Sequence, residues 1–307
     1  MSQKVAILLC TYEGQQYLPE QLDSFEAQTY NDWIVCASDD GSKDDTRAIL
    51  ARYADKWAPG QLTVVEGPRK GFVANFLSLT CNPQVQADLY AYSDQDDIWH
   101  PEKLERAVQW HAGVAPGTPA LYCTRTELVD GAGAPIGYSP LFTRPPSFAN
   151  ALTQNVGGGN TMVFNDAARQ LLLNAGPQPK AVAHDWWVYL LISGCGGQIH
   201  YDPRPSLLYR QHGGNLIGAN ASMSARVERI RMLLQGHLRD WNDRNIQMLS
   251  PLQAQLTEKN RETFNRFASA RKKGLFGRVF GVATSGIYRQ TMLGNLGLLA
   301  AAVFNKI

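Results

Sequence analysis

The sequence predicts an α/β protein with a mixed, mostly parallel sheet flanked by helices, followed by a C-terminal helical extension. Over the first hundred residues, short apolar segments alternate with amphipathic ones, which is the pattern of βαβ units. Polar residues directly follow three of the first four apolar segments. From Ser222 onward the pattern becomes helical and rich in arginine.

The predicted elements alternate along the chain. Strands are expected in short apolar runs at 5–10, 33–38, 62–66, 88–93, 160–165 and 198–201. Helices are expected, from apolar residues at helical spacing or from a Pro in the first turn, at 17–28, 44–57, 72–79, 101–111, 166–174 and 184–193. Residues 113–160 are rich in Gly, Pro, Ser and Thr and are expected to form loops and short strands.

The composition is that of a soluble globular protein. Of 307 residues, 44% are hydrophobic and 18% are charged, which excludes a mainly disordered chain. The five cysteines are odd in number and widely spaced, so neither a disulfide framework nor a zinc site is expected, and a reducing, cytoplasmic location is favoured. No signal peptide or membrane span is expected, since the apolar runs at 5–10 and 296–304 are too short.

Charge is divided unevenly along the chain. Residues 1–223 contain 15 Lys and Arg against 22 Asp and Glu, whereas residues 224–307 contain 14 against 5. The basic part leaves two alternatives: solvated helices packed on the rest of the protein, or contact of residues 271–276 with an anionic membrane surface. Nucleic acid is not an expected partner, because the basic part lacks interleaved aromatic residues and the acidic part would repel phosphate.

The residues that follow the strands carry the candidate chemistry, because parallel sheets bind ligands at the carboxyl ends of their strands. Asp94 and Asp96 follow the fourth strand, and two carboxylates one residue apart can both reach one Mg²⁺ or Mn²⁺ ion. An acidic turn that caps the next helix is the alternative, but the position at the sheet edge favours a metal. Asp39 follows the second strand and can accept the N3–H of a pyrimidine base, while Gly41 permits a tight turn.

Four stretches in this order resemble the family 2 glycosyltransferases, whose nucleotide-sugar-binding fold is named GT-A. They are TYEG at 11–14, SDDGS at 38–42, DQDDIW at 94–99 and YRQHGGN at 209–215. The resemblance covers about residues 3–220, and the last two stretches are most similar to the bacterial rhamnosyltransferases that build lipopolysaccharide or capsular glycans. It implies a GT-A domain at 1–221, with a nucleotide-binding half at 1–112 and an acceptor-binding half at 113–221, and a basic helical region at 222–307.

The resemblance also implies which residues bind the nucleotide sugar: Thr11, Tyr12, Glu13, Asp39, Lys70, Asn75, Asp94 and Arg210. Among them Tyr12 would lie against the base, and Arg210 would stabilise the charge of the departing diphosphate. The implied ligands of a Mn²⁺ or Mg²⁺ ion that holds the diphosphate are Asp94, Asp96 and His212. Asp97 would position sugar hydroxyls or a metal-bound water. A surface position for Lys70 and a structural role for His212 are the alternatives.

On the acceptor side, the resemblance implies a base at the start of the helix at 184–193, where the family commonly has Glu-Asp. Here His184 replaces the Glu, and Asp185 is the candidate base that takes a proton from the acceptor hydroxyl. Capping of its helix is the alternative. The implied acceptor-binding residues are Gly158, Asn160, Trp186 and Trp187. A flexible glycine turn, and core positions for the two tryptophans, are the alternatives.

Together these residues predict a metal-dependent inverting glycosyltransferase that moves L-rhamnose from dTDP-rhamnose onto a glycan or lipid-linked saccharide. A UDP-hexose or UDP-hexosamine donor is the alternative within the family, since the pocket motifs do not separate thymine from uracil. A nucleotidyltransferase is disfavoured because no Gly-rich, basic phosphate loop occurs near the N-terminus. A non-catalytic glycan-binding protein is disfavoured by Asp94, Asp96 and Asp185. The expected location is the cytoplasm, at the cytoplasmic face of the inner membrane if the basic region binds lipid.

Overall fold

The computed structural model describes residues 2–177, 180–212 and 236–307. The strands are β1 (Val5–Thr11), β2 (Trp33–Asp39), β3 (Leu62–Glu66), β4 (Leu89–Ser93), β5 (Ile98–Trp99), β6 (Ala120–Thr124), β7 (Glu127–Asp130), β8 (Pro135–Tyr138), β9 (Val163–Asn165), β10 (Gln198–Asp202) and β11 (Leu207–Gln211). The helices are α1 (Leu18–Glu26), α2 (Thr46–Lys56), α3 (Phe72–Thr80), α4 (Lys103–His111), α5 (Phe148–Ala151), α6 (Asp166–Ala175), α7 (His184–Gly194), α8 (His237–Leu249), α9 (Glu258–Arg271), α10 (Leu275–Thr284) and α11 (Met292–Val303).

A seven-stranded sheet forms the centre, in the order β10-β6-β9-β4-β1-β2-β3. Neighbouring strands are parallel except for β9, which is antiparallel to both β4 and β6. Strands β1, β4 and β6 are buried over their whole length, as expected for strands that are covered by helices on both faces. The predicted mixed, mostly parallel α/β sheet is confirmed.

Each face of this sheet has its own apolar core. Along β1, Val5, Ile7 and Leu9 join a core with residues of α1, α2 and α4, whereas the alternate residues of the strand join a core with residues of α3, α6 and α7. This division follows from the period of two in a β-strand. Phe264 and Phe267 of α9 are buried in the second core, so the C-terminal helices pack onto the α/β domain.

A second sheet of four short strands, in the order β5-β11-β7-β8, adjoins the acidic end of β4. Strand β11 pairs with β5 and β7. The position of this second sheet matters because β5 begins directly after Asp97 and β11 ends directly before His212. The sequence did not predict β5 or β11, since one is two residues long and the other lies inside a polar motif.

Several predicted boundaries need correction. The strand predicted at 160–165 is shorter, because residues 159–161 form a 3-10 turn and β9 starts at Val163. Helix α4 begins at Lys103 rather than Pro101, since residues 101–102 form a turn closed by the Lys103 amide on the His100 carbonyl. The helix predicted from Ser222 lies outside the described residues as far as 235. No helix built from the described residues is both long and apolar enough to cross a bilayer.

Candidate active site

The polar loops that follow β1, β2 and β4 lie side by side at the carboxyl edge of the seven-stranded sheet. Thr11 is in register with Asp39, and Leu9 with Ser93. The Gln95 side chain joins the first and third loops, because its amide bonds to the backbone N–H of Tyr12 at 2.8 Å and to the Tyr12 carbonyl at 2.9 Å. The edge predicted to carry the chemistry is therefore one continuous surface.

Asp96 and His212 are in direct contact at this edge. The distance between Asp96 Oδ2 and His212 Nε2 is 2.8 Å, and their side chains are 17% and 21% exposed. The His212 ring also lies beside Tyr17, with the ring centres 4.9 Å apart. The fold thus brings together two of the three predicted metal ligands, although 116 residues separate them in sequence.

Asp94 does not complete a three-ligand cluster with them. Among the described residues, no group of three or more His, Cys, Asp or Glu side chains is placed to hold a metal ion. Burial and the charges of Asp96 and Asp185 raise the pKa of Asp94 to about 7. The residues that the structure describes therefore supply at most a pair of ligands here, and a metal ion would take its other ligands from the donor and water.

Asp97 and Asn160 point into the protein. Asp97 is 0% exposed and accepts a 2.6 Å hydrogen bond from the Asn160 side chain and another from the Arg210 amide. Asn160 is itself buried, and its carbonyl accepts from the ammonium group of Lys103. Both side chains thus have protein partners in this structure, whereas acceptor binding by Asn160, and the assignment of Asp97 to sugar hydroxyls or a metal-bound water, stay predictions.

Lys103 is a functional candidate that the sequence did not reveal. Its ammonium group is buried near residues 94–97, the acidic loop that follows β4, and lies 4.0 Å from the centre of the Trp99 ring. Burial lowers the pKa of Lys103 to about 7, although the charges of Asp97 and Asp94 oppose this. No spacing or motif marks a lysine for burial, because its position is set by contacts distant in sequence.

Arg210 holds the acidic loop, residues 94–97 after β4, through hydrogen bonds. Its guanidinium donates to the Asp96 carbonyl at 3.1 Å, the Gly131 carbonyl at 3.1 Å and the Glu20 carboxylate at 2.6 Å. It also lies 4.5 Å from the centre of the Tyr17 ring, and its side chain is 2% exposed. All three guanidinium nitrogens are engaged, so the prediction that Arg210 binds the departing diphosphate is corrected to a structural role.

An Arg210→Met variant tests this correction. We expect the free energy of unfolding to fall by about 2–3 kcal/mol, because buried acceptors lose their donors. The Glu20→Gln variant should lose at most about 1 kcal/mol, since that carboxylate is half exposed. Urea unfolding measures both. Unchanged stability of Arg210→Met combined with loss of diphosphate binding would restore the original assignment.

Asp39 is saturated by donors from the protein. Its Oδ1 accepts from the amides of Gly41 and Ser42 and from Arg47 Nε, and its Oδ2 accepts from the hydroxyls of Thr11 and Ser42. Ser42 and Arg47 are among the contacts that hold the pKa of Asp39 below its usual value against burial. Asp39 and Thr11 are both buried and bonded to each other; the contact of Asp39 with the base and the place of Thr11 in the nucleotide pocket stay predictions. Both residues shape the loop.

Asn75 also serves the fold. Its side-chain oxygen accepts from the Ser38 hydroxyl at 2.5 Å, its side-chain nitrogen donates to the Ser38 carbonyl at 2.9 Å, and the residue is 1% exposed. These bonds join α3 to the end of β2. The structure thus gives Asn75 a role in the fold, and its contact with the donor stays a prediction.

Lys70, in contrast, is held outward at the sheet edge. The amides on either side of it, those of Arg69 and Gly71, donate to the two oxygens of Asp40 at 2.5 and 2.8 Å. Arg69 and Gly71 have φ angles of 57° and 86°. This clamp fixes the loop and leaves Lys70 exposed, in agreement with either a donor contact or a surface position.

Three further predicted residues are accessible. The Tyr12 ring is 58% exposed and can stack on a base. Glu13, which has a φ angle of 50°, accepts the amide of Lys43 and so ties the first loop to the second. Gly158 is exposed next to the buried Gly159.

Asp185 lies in the first turn of α7, and every other residue of that helix is buried. Its Oδ2 accepts the Gly159 amide at 3.0 Å, and its Oδ1 accepts its neighbour's amide, that of Trp186, at 2.7 Å. Burial nevertheless raises the pKa of Asp185 to about 6. The carboxylate thus binds one amide at the helix start and one in the 3-10 turn at 159–161, and it remains partly accessible.

His184 explains why an aromatic residue can replace the acidic one that is common in the family. Its ring stacks on Phe76 at 3.9 Å and is 4% exposed, and burial lowers its pKa to about 3. A Cβ at Gly159 would lie 2.3 Å from His184 Nε2. His184 therefore packs as a neutral group against the glycine whose amide holds Asp185.

Trp186 and Trp187 are core residues. Their exposed fractions are 7% and 1%, and Trp186 Nε1 donates to the Ala151 carbonyl at 2.7 Å. The prediction that they form a wall for an acceptor sugar is corrected in favour of the core alternative, because neither presents a ring face to solvent.

The chain is similar to known glycosyltransferases. Residues 6–126 match the family model described as Glycosyl transferase family 2. The dTDP-rhamnosyl transferase RfbG of Shigella flexneri is 26% identical over 239 residues, which cover 73% of this chain and 78% of that protein. An uncharacterized glycosyltransferase of Nostoc sp. is 29% identical over 110 residues, which cover 34% of this chain and 32% of that protein.

Two solved structures share the fold. TarS 1–349 of S. aureus, in complex with UDP-GlcNAc, has 14% identity and a TM-score of 0.55, and the match covers 92% of this chain and 89% of that one. The mannosyltransferase PcManGT of Pyrobaculum calidifontis, in complex with GDP-Man and Mn²⁺, has 19% identity and a TM-score of 0.53, with coverage of 100% and 87%. The chain has the GT-A fold, and its residues 6–126 match the family 2 glycosyltransferases.

Proposed function

We propose that this glycosyltransferase is metal-dependent and inverting, with Asp185 as its catalytic base. The observation that carries the proposal is that Asp185 alone stays partly accessible on a helix whose other residues are all buried. Two backbone amides orient its carboxylate, and its charge is among the causes that raise the pKa of Asp94. This interaction supports a base beside the edge that we propose for the diphosphate.

Asp185 would take the proton of the acceptor hydroxyl as that oxygen attacks the anomeric carbon. A new C–O bond to the acceptor forms while the bond from the anomeric carbon to the diphosphate oxygen breaks on the opposite face. The sugar therefore inverts, and the nucleoside diphosphate leaves with the bond electrons. The pKa of about 6 leaves Asp185 ionised near neutral pH and still basic enough to share the proton.

Asp96 and His212 fit a divalent metal ion as a pair of ligands. Carboxylate oxygen and imidazole nitrogen are both accepted by Mn²⁺, and the two atoms already lie within 2.8 Å of each other. A bound ion would neutralise charge on the diphosphate. Asp94, two positions before Asp96, would add a second carboxylate beside this pair, and Arg210 holds the loop through the Asp96 carbonyl.

The proposed donor is dTDP-L-rhamnose, and the proposed acceptor is an envelope glycan or a lipid-linked saccharide. Similarity to a dTDP-rhamnosyl transferase over 73% of the chain supports the donor, and the exposed Tyr12 ring offers a stacking surface for its base. We further propose residues 1–112 as the donor half, residues 113–221 as the acceptor half and a cytoplasmic location. A UDP-sugar is the alternative donor.

Thermal stabilisation by nucleotides tests the donor assignment. The protein is heated with dTDP, UDP or GDP, each with Mn²⁺, Mg²⁺ or EDTA. A nucleotide at 100 times its Kd should stabilise the fold by about 2.7 kcal/mol. We expect dTDP with metal to give the largest shift. A larger shift with UDP would replace rhamnose by another sugar, and no shift with any nucleotide would favour a non-catalytic binding protein.

The pH dependence of kcat/KM tests the base. Because Asp185 works only when ionised and its pKa is raised to about 6, kcat/KM should fall about tenfold per pH unit below 6 and level off above. Nucleotide binding is measured over the same pH range. If binding stays constant there, the fall in kcat/KM does not come from titration of groups in the donor site. A rate that stays level down to pH 4.5 would contradict the assignment of Asp185.

A further inference from the structure

The last two helices expose an apolar surface. On α10, Phe276 and Phe280 are 87% and 71% exposed, and on α11 Met292 and Leu293 are 81% and 74% exposed. Their opposite sides pack into the core. Five more large apolar side chains extend this surface: Leu275, Leu296, Leu299, Val303 and Phe304. Single exposed apolar residues are ordinary, but a contiguous set on two adjacent helices marks an interaction site.

The segment that carries this surface is positively charged. Residues 263–307 contain seven Lys and Arg and no Asp or Glu. Lys272 and Lys273 are exposed directly before α10, and Lys306 follows α11. Phe276 and Phe280 are thus bordered by lysine, which is the composition of helices that lie in a bilayer interface.

This charge favours an anionic bilayer over a second copy of the chain. In a twofold dimer the same surface meets itself, so the basic borders would face each other and repel. An anionic leaflet instead attracts each lysine near it. Helices α10 and α11 have only 10 and 12 residues, which suits a position in the plane of the interface.

The connection between the two helices reaches the acceptor side of the site. The Tyr288 carbonyl accepts from the side chains of Asn150 at 3.1 Å and Thr153 at 3.0 Å, and the Gln290 amide donates to the Gln154 side chain at 2.9 Å. The chain continues from residue 154 into the loop whose Gly159 amide binds the Asp185 carboxylate. The apolar surface and the candidate base are therefore linked by adjacent hydrogen-bonded segments.

We propose that the exposed face of α10 and α11 docks on an anionic lipid bilayer and presents the acceptor side of the site to a lipid-linked acceptor. The identity of the acceptor rests on the proposed function, whereas the docking itself does not. Phe276, Phe280, Met292 and Leu293 enter the acyl boundary, and Lys272 and Lys273 remain among the headgroups.

Flotation with vesicles tests this surface on the full chain. Vesicles of phosphatidylcholine with 30% phosphatidylglycerol, about the anionic fraction needed for a strongly negative surface, are compared with pure phosphatidylcholine. We expect binding to the anionic vesicles that weakens with salt. Phe276→Ser/Phe280→Ser should reduce it by more than about tenfold, and Lys272→Gln/Lys273→Gln by roughly fivefold for each lysine.

Matched controls are Ile136→Ser, an exposed apolar residue on β8, and Lys259→Gln, an exposed lysine on α9. Both should bind vesicles like the wild type. Absence of vesicle binding, or equal binding by the Phe276/Phe280 variant, would overturn the proposal, as would a concentration-dependent dimer that the same variant abolishes. Nucleotide stabilisation without vesicles is measured on every variant. Its absence in the wild type would overturn the proposed function instead, and its preservation shows that the variants fold.

Discussion

Replacing Asp185 by Asn is expected to reduce turnover by about 10³-fold, within the range that a general base contributes. Asparagine preserves the volume and keeps one oxygen for a backbone amide, but it cannot take the proton of the acceptor hydroxyl. Nucleotide binding should survive, because the groups at the ends of β1 and β4 are unchanged. Release of nucleoside diphosphate at saturating donor and acceptor measures the loss, and nucleotide-induced stabilisation measures binding.

The control for this variant addresses folding. Asparagine can place its amide nitrogen against the Gly159 amide that now donates to Asp185, so we expect a loss of about 1 kcal/mol in the free energy of unfolding. Asp55→Asn, an exposed carboxylate on α2, is the matched variant and should turn over at the wild-type rate. A folded Asp185→Asn variant with more than a tenth of the wild-type rate would exclude Asp185 as the base.

Replacing Asp96 by Ala is expected to abolish the part of nucleotide binding that depends on metal. Asp96 and His212 form the contact that fits a metal ion, and a ligand at 100 times its Kd accounts for about 2.7 kcal/mol of stabilisation. With dTDP and Mn²⁺, the melting temperature of the variant should therefore rise only as much as that of the wild type rises with dTDP and EDTA. Turnover should fall by at least about 10²-fold, because the leaving diphosphate is no longer neutralised.

His212→Ala separates a ligand from a support for the loop. If His212 binds the ion, this variant should lose the same metal-dependent shift as Asp96→Ala. If it only orients Asp96, a higher Mn²⁺ concentration should restore the shift. Asp55→Ala is the matched control and should keep it. Metal-dependent stabilisation of Asp96→Ala at the wild-type level would contradict the proposed pair.

The sequence predicted the features that depend on local pattern. Burial of β1 follows from an apolar run of six residues at 5–10, and the polar edge follows from where the strands end. Asp185 was implied by the family resemblance and stays a prediction, which its partial accessibility on an otherwise buried helix supports. The burial of β1 and the polar edge were predicted correctly because neighbours in sequence determine them.

The sequence does not predict the contacts of side chains whose direction depends on distant donors and acceptors. Asp39 and Arg210 are chemically suited to a nucleotide and a diphosphate, yet both are enclosed by protein partners. Arg47 and Thr11 donate hydrogen bonds to Asp39. The Arg210 guanidinium donates to Glu20, which lies 190 residues away in sequence. The residue type gives the chemistry that is possible, but competition from the rest of the fold determines whether a ligand can use it.

Trp186 and Trp187 show that the rest of the fold also determines whether an aromatic side chain can reach a ligand. Helix α7 is packed from every side, so the aromatic residues after Asp185 enter the core whatever their affinity for sugars. A helix that is apolar all round is typical of a buried position. Applied to residues 186–193, this criterion favours the core alternative on the sequence alone.

The most direct test of the central claim is release of dTDP from dTDP-L-rhamnose by the purified protein. The reaction is followed with Mn²⁺ and with EDTA, for the wild type and for Asp185→Asn, in the presence of rhamnose-accepting glycans. The account predicts release that requires both the metal and Asp185. A wild-type protein that binds dTDP with metal but releases none from this donor or from UDP-sugars would contradict catalysis and indicate a binding protein.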